Sequence, residues 1–383
     1  MTKTYDEINE KIRSGEAVVL TAEEVVDLVR KKGVEKAAEE VDVVTTGTFG
    51  AMCSSGAFIN LGHSDPPIRM TNIRLNNVEA YGGLAAVDTY IGATSLIDPP
   101  GKGYGGGHVI EDLISGKRIH LQACGPGTDC YVRKSIDTYI TLDDLNEAYL
   151  YNPRNCYQNY SVATNTSGRT LYTYMGKLLP NMKNATYSSA GELSPLMNDP
   201  HLDTIGMGTR IFLAGGEGYV MWQGTQFNTT PEEVNGVPVK GARTLAVCGD
   251  MKQMDPKYVR GLDITGYGIS LALGIGIPIP VLNEDVMRRC AISNEEIFAE
   301  MVDYSLPSGR VPMHRYSYAE LRSGTIEYQG RKIRTSSMSS LAGARKVANQ
   351  LKDWIEHREF LLNQPCMMLP REGSVKPLLE RRE

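Results

Sequence analysis

The chain reads as an α/β protein of mixed sheets with glycine-rich loops at strand ends, its strand topology left open. Two observations carry that reading. Short β-branched and aromatic runs recur between helix-like segments along most of the sequence. Glycine fills 39 of 383 positions, clustered at 101–107, 125/127, 206/208 and 215–218, where backbone can approach backbone or ligand and φ can turn positive.

The first forty residues read as helices. Thr21, with Glu24 three positions on, is a capping box before an apolar-periodic run through Val25, Leu28 and Val29. Residues 41–44 predict a buried strand entering a loop of small residues, 45–55, that carries Cys53. Residues 68–75 alternate weakly as a strand. Gly105-Gly106-Gly107-His108 precedes a short helix over 109–114, closed by Gly116. Ile119, Leu121 and Ala123 alternate with His120, Gln122 and Cys124, a strand with one polar face. It ends in Gly125-Pro126-Gly127-Thr128-Asp129-Cys130, which can be interior to neither helix nor strand.

Residues 136–141 resume as strand. Thr141 caps a helix predicted over 142–150, with Asp144 at its third position. From 155 to 249 the chain is strand-rich, and 245–248 is a buried-type strand ending in Cys248-Gly249-Asp250. Ser293 and Glu296 predict a capping box opening a helix through Phe298 and Met301. Residues 326–333 predict a hairpin turning at Gln329-Gly330. The last long helix begins near Ser339, with Leu341, Ala344, Ala348, Leu351 and Ile355 at three- and four-residue spacing. Residues 1–370 are expected to form one region, as a single unit or two intertwined α/β subdomains. The chain after Pro365 is expected to fray, with 371–383 as a C-terminal tail.

Composition excludes several classes. The formal charge is −5, with 40 Lys and Arg against 45 acids, scattered rather than clustered, so nucleic acid is not an expected partner. No apolar run approaches the ~18 residues of a membrane span, and the charged N-terminus is no signal peptide. A cytoplasmic homo-oligomer is expected. The cysteines number seven; an odd count without a secretory signal favours free thiols, redox chemistry or metal ligation over disulfides.

Cys130 is the first candidate for chemistry. Tight-turn amides and the cations Arg133 and Lys134 favour a thiolate there, while Asp129 opposes it. On spacing alone, a small structural loop cysteine fits equally well. Cys53, within Gly47-Thr48-Phe49-Gly50-Ala51-Met52-Cys53-Ser54-Ser55-Gly56, has a loop of amides suited to a thiolate or anion. Cys124 could resolve a persulfide on Cys130 or lie on the far face of its strand, and Cys248 could converge on the same edge. Cys156, Cys290 and Cys366 read as packing. There is no CxxC. Cys53 and Cys130 with Cys124 or Cys248 could hold a [4Fe-4S] cluster with one open iron. His63, beside Asp65, His108 and His120 are candidate acids or bases. The glycine run at 101–107 could hold a phosphate or carboxylate, but it is neither a P-loop nor a dinucleotide fingerprint.

Glu40-Val41-Asp42-Val43-Val44-Thr45-Thr46-Gly47-Thr48-Phe49-Gly50, continuing through Met52-Cys53-Ser54-Ser55-Gly56-Ala57, resembles the homocysteine biosynthesis protein family of anaerobes. So do Gly62-His63-Ser64-Asp65-Pro66-Pro67-Ile68, Gly105-Gly106-Gly107-His108 and Gly127-Thr128-Asp129-Cys130-Tyr131. The likeness runs from about residue 3 to residue 370. It implies an L-aspartate semialdehyde sulfurtransferase that makes homocysteine from sulfide or another sulfur donor, with Cys130 as the key cysteine and Cys53 as the second. Archaeal members often carry CBS domains after this region, and the system uses a ferredoxin-like electron donor. This chain shows neither, so CBS regulation is not expected and the donor is expected to be a separate polypeptide.

The chemistry this implies is condensation of sulfur with an aldehyde, loss of water and addition of two electrons. Cys130 would carry a persulfide, and Cys53 or Cys124 would resolve it. Arg69, Arg133 or Arg210 would hold the substrate carboxylate, and His63 or His108 would protonate the departing oxygen. The Cys53 and Cys130 turns are therefore expected to meet at one sheet edge. Two other readings stand beside this one: the cluster-dependent enzyme, and a non-catalytic sulfur carrier or assembly subunit.

Overall fold

The structure, a computed structural model, describes residues 2–99, 101, 103–155 and 159–380. The Thr21 box forms as its spacing predicts: the Thr21 hydroxyl accepts from the Glu24 amide, and the Glu24 carboxylate accepts from the Thr21 amide. Such a cap contributes about 1 kcal/mol. It opens α2 (Ala22–Lys32), which follows α1 (Tyr5–Ser14) and precedes α3 (Val34–Glu40). The three-residue strand Val19–Thr21, which helical periodicity hides, pairs in parallel with Val43–Thr45, and that strand pairs with Pro278–Pro280.

Among the described residues the main sheet has 13 strands. They are β1 (Thr48–Ala51), β2 (Gly56–Asn60), β3 (Asn72–Leu75), β4 (Val78–Tyr81), β5 (Asp88–Gly92), β6 (Ile119–Cys124) and β7 (Ser135–Ile140). The set continues with β8 (Glu147–Asn155), β9 (Arg210–Leu213), β10 (Gly216–Gln223), β11 (Leu245–Asp250), β12 (Val259–Ile264) and β13 (Gly268–Gly276). The order is β12-β13-β9-β10-β11-β8-β2-β5-β4-β3-β6-β7, with β1 pairing β13 off the path. Residues 52–55 join β1 to β2, so this turn sits where the curled sheet returns to β13. One face packs a large aliphatic core that includes α4 (Gly106–Ile114).

A second, 6-stranded sheet has the order His314–Ser317, Phe298–Asp303, Val162–Thr164, Asn184–Tyr187, Arg331–Ser337, Thr325–Tyr328. Its own core centres on Tyr316, Tyr318, Ile297 and Ile333. The chain passes from the first sheet to the second, back to the first, and again to the second before α6 (Leu341–Glu356). Between them α5 (Glu284–Cys290) packs near α3. The helix α6 lies directly on β1 and β13: a Cβ on Gly47 would stand 2.3 Å from the Ala344 carbonyl oxygen, closer than any side chain allows.

Two expected helices are strands. The Thr141–Asp144 box forms, but only a single turn follows at Leu142–Asp144 before β8. There Ala148, Leu150 and Asn152 are fully buried between exposed and half-buried tyrosines, a period of two. Likewise Ser293 and Glu296 bond as a box, yet Phe298–Asp303 is a central strand with both faces covered. A continuously buried run does not reveal its period. Three smaller differences follow. The 68–75 strand contracts to β3, α4 starts at Gly106 rather than after the glycines, and part of the tail is held. Met367–Met368 pairs Gly206–Met207, and Gly373 bonds Thr229. The Gln329-Gly330 hairpin forms as read, with both residues at positive φ.

Candidate active site

The turn at 52–55 is fixed from two sides. The Met52 amide donates to Leu271 O of β13 at 2.7 Å. On the other side Asn152 of β8, fully buried, donates to Ser55 Oγ at 2.8 Å and accepts from Ser54 Oγ at 3.2 Å. The same Asn152 carbonyl accepts from the Arg154 amide at 2.8 Å, and Ser54 Oγ also donates to Arg154 O at 3.0 Å. Arg154 is thereby placed beside the turn. A buried asparagine with both ends bonded is a rigid post.

Cys53 opens into a cavity of about 360 Å³ between the two sheets. Ser54, Arg154 and Tyr267 complete the wall on the main-sheet side; Tyr160, Tyr174, Ser189 and Ser339 come from the other. Ser270 Oγ, fully buried, donates to Cys53 Sγ at 3.1 Å. Burial raises the Tyr267 pKa, the nearby Cys53 thiol adds to the rise and Arg154 opposes it, which places this phenol within the field of both groups. Among the described residues no carboxylate pairs with Arg154. A half-exposed thiol, a hydroxyl donating to its sulfur and an unpaired guanidinium suit nucleophilic chemistry on a small anionic substrate.

The other predicted residues gather elsewhere. His63 follows β2, and its ring stacks on Tyr131 at 6.1 Å. Arg133 N donates to Pro67 O at 3.2 Å, and Gly125 lies against the Arg69 carbonyl. Thr128 and Tyr131 exchange amide bonds of 2.9 and 3.1 Å, so Asp129 and Cys130 form the two-residue tip of a protruding turn. Cys124, exposed at the end of β6, accepts from Asn72 Nδ2 at 3.6 Å. Arg133 Nε is taken by Ser135 O at 2.9 Å, and the Lys134 stem packs against Gly127.

The Cys53 and Cys130 turns therefore do not meet as expected. Successive antiparallel pairings through β5, β4 and β3 leave β2 and β6 running the same way. Cys53 precedes β2, while Cys130 follows β6 and lies beside the residues that leave β2. The 5 residues of β2 alone separate the two ends by about 16 Å at ~3.3 Å per residue.

Several candidates are engaged in structure. Arg210 is gripped by Glu217, with one bond of 2.9 Å, and covers the Phe360 ring at 4.4 Å; it does not line the cavity. His108 stacks on Tyr104 at 5.2 Å under Gly261 and is also outside it; its buried Nδ1 has no partner among the described residues. His120 pairs Asp137 at 2.7 Å. The Gly106 and Gly107 amides are spent on Ser95 O and Ala93 O, both at 2.8 Å, so they offer nothing to an anion. Cys248 lies in β11 opposite Tyr151 and Tyr219, its thiol pKa raised by burial. Cys290 is fully buried in α5, with its pKa likewise pushed up by burial. Cys366 is exposed, with its thiol on Met207 O at 3.3 Å. Cys156 lies outside the described residues. No three His, Cys, Asp or Glu side chains gather to hold a metal among the described residues. With Cys53 and Cys130 at opposite ends of β2, a [4Fe-4S] cluster on those two and Cys124 or Cys248 does not fit this chain.

A family model described as "Homocysteine biosynthesis enzyme, sulfur-incorporation" matches residues 17–362. The chain belongs to this family. A Methanosarcina acetivorans protein called "L-aspartate semialdehyde sulfurtransferase" is 54% identical over 377 residues, covering 98% of this chain and 74% of the relative. A Methanocaldococcus jannaschii protein of the same name is 53% identical, covering 98% and 75%. An uncharacterized Methanothermobacter thermautotrophicus protein is 30% identical over 79% of this chain and 68% of its own. No solved structure matches. This homocysteine biosynthesis enzyme is a sulfurtransferase by its relatives. No helix among the described residues is long and apolar enough to cross a membrane.

Sequence reasoning about this family member missed Arg154, Tyr174, Tyr267 and Ser270. Arg154 and Ser270 sit in runs that read as ordinary strand, so nothing in their spacing marks them. Tyr267 was signalled only by Thr265-Gly266-Tyr267-Gly268, a turn that exposes an aromatic ring.

Proposed function

We propose that this chain converts L-aspartate semialdehyde to homocysteine in the Cys53 cavity. The observation that carries the reading is one cavity presenting both a thiol and a guanidinium that pairs with no carboxylate among the described residues. The semialdehyde has a carboxylate for Arg154, which pairs planar anions with two parallel bonds, and an aldehyde for sulfur. Hydrosulfide held beside Cys53 adds to the aldehyde carbon. Oxygen departs as water. The Cys53 thiolate adds to the sulfur of the resulting thioaldehyde while a proton goes to its carbon, and two electrons from a separate ferredoxin-like donor cleave the Cys53–product disulfide to two thiols. Cys130, on an exposed tip far from the cavity, is the thiol that another polypeptide reaches. That exposure also favours a second reading, in which the chain only passes sulfur to a partner.

Turnover decides between them. With aspartate semialdehyde, sulfide and a strong chemical reductant, the wild-type chain forms homocysteine and Cys53→Ser does not. Arg154→Gln raises KM by about 10-fold or more, the loss expected for a charge-assisted pair. Undiminished homocysteine formation by Cys53→Ser would remove the cavity as the site; none from the wild type would leave the carrier.

A further inference from the structure

We propose that Tyr174 is the acid that protonates the substrate oxygen as sulfur adds to the aldehyde carbon, and that Tyr304 positions it. The inference rests on the Cys53 cavity being the active site.

Tyr174 stands at the tip of the hairpin formed by Leu171–Thr173 and Gly176–Leu178. Thr173 Oγ1 shapes that tip, accepting from the Met175 amide and donating to Gly176 O, both at 3.0 Å. The ring of Tyr174 is 39% exposed and lines the cavity across from Cys53. It faces Tyr160 and Tyr267, with ring centres 5.9 and 6.2 Å away. Its hydroxyl lies 2.9 Å from that of Tyr304. Tyr304 is 9% exposed and packs among Leu171, Met175 and Val302, with Arg310 over its ring at 4.3 Å.

Proton counting assigns the donor. Each phenol has one hydrogen. If Tyr174 donated to Tyr304, the buried Tyr304 hydrogen would need another acceptor, and among the described residues none is in reach; an orphaned buried donor is costly. Tyr304 therefore donates, and the Tyr174 hydrogen is left to point into the cavity. Burial and the bond to Tyr174 both raise the Tyr304 pKa, so it keeps its proton. In the step itself a sulfur lone pair forms the C–S bond, the C=O π pair moves to oxygen, and the Tyr174 proton follows it. The resulting phenolate keeps the Tyr304 hydrogen bond. The product is a neutral adduct, and no oxidant or reductant is consumed. His63 and His108, the acids expected from sequence, lie outside the cavity.

The test uses the full chain with aspartate semialdehyde, sulfide and chemical reductant. Tyr174→Phe should lower kcat by about 100-fold or more, the range for loss of a general acid, with KM and the rate of Cys53 alkylation within about twofold of wild type. Tyr304→Phe should lower kcat less, by about 10-fold, with KM and the rate of Cys53 alkylation within about twofold of wild type, because the Tyr174 phenolate formed in the step then lacks its hydrogen-bond donor. The other groups facing Tyr174 are Tyr160, Tyr267 and, over Tyr304, Arg310. Wild-type kcat in Tyr174→Phe, with Cys53→Ser inactive, overturns the acid and spares the cavity; activity in Cys53→Ser overturns the cavity itself. If Tyr174→Phe fails to fold, Tyr304→Phe decides alone, and wild-type kcat in that variant overturns the pair.

Discussion

The Ser270 hydroxyl donates to the Cys53 sulfur at 3.1 Å, from β13 across to the turn that joins β1 and β2. Two segments far apart in sequence thus meet at one thiol. A hydrogen bond to the charged form favours it. Ser270→Ala should slow alkylation of Cys53 by iodoacetamide about 3- to 10-fold at neutral pH, the scale of one hydrogen bond worth ~1 kcal/mol. Mass spectrometry of the labelled peptide reads this directly, and an unchanged rate would mean that the turn amides set the reactivity.

Cys130 and Cys53 should separate by assay. Cys130→Ser keeps sulfide-dependent turnover with a strong chemical reductant but loses it when the protein electron donor is the only source of electrons. Cys53→Ser loses both. Equal loss in both assays for Cys130→Ser would place its thiol in the chemistry despite the intervening strand.

Asp42 ties α1 to the strands beneath it. Its side chain is fully buried and takes Lys11 at 2.7 Å, Lys3 at 3.1 Å and the Val18 amide at 3.0 Å. Burial alone would raise its pKa, but these partners together hold it below the usual carboxylate value. A depressed folded pKa adds stability that is present above the unfolded value of ~3.9 and is lost as pH falls through the folded one. Asp42→Asn should cost about 3 kcal/mol near pH 7, as expected for breaking a buried pair. In urea titrations the gap to wild type should narrow as pH falls below the unfolded value of ~3.9 and on through the lower folded one.

Gly47→Ala should be among the most damaging small substitutions. Its Cβ would meet the Ala344 carbonyl at 2.3 Å, and backbone cannot swing aside as a side chain can. Displacing α6 by this contact should cost about 2 kcal/mol or more, in the overpacking range, and should loosen β1 and the cavity. Differential scanning calorimetry and homocysteine formation should fall together.

Several strands, turns and helices in both parts of the fold were legible in local pattern. β6 with its polar face, the Gln329-Gly330 hairpin, the Thr21 box and α6 follow from periods and caps that few neighbours can override. Boxes at Thr141 and Ser293 were equally visible and led to the wrong element, because sheet partners on both sides of β8 and of Phe298–Asp303 outweigh one capped turn. Cys53 was legible as a loop residue, but the loop expected over 45–55 contains β1 and shrinks to the turn at 52–55. Its separation from Cys130 was not, since it depends on strand order and on β2 and β6 running the same way. Arg154 and Tyr174 needed the second sheet to be in place before either had a role.

The thiol wall and the tyrosine wall of the cavity are drawn from different sheets with separate cores. Sulfur handling and choice of aldehyde are thereby heritable apart. Changes in the hairpin that bears Tyr174 can reshape the acceptor side for a longer or differently charged carbonyl compound while Cys53, Ser270 and the Asn152 post stay as they are. A lineage could acquire a new acceptor in this way without ever passing through a form that cannot carry sulfur.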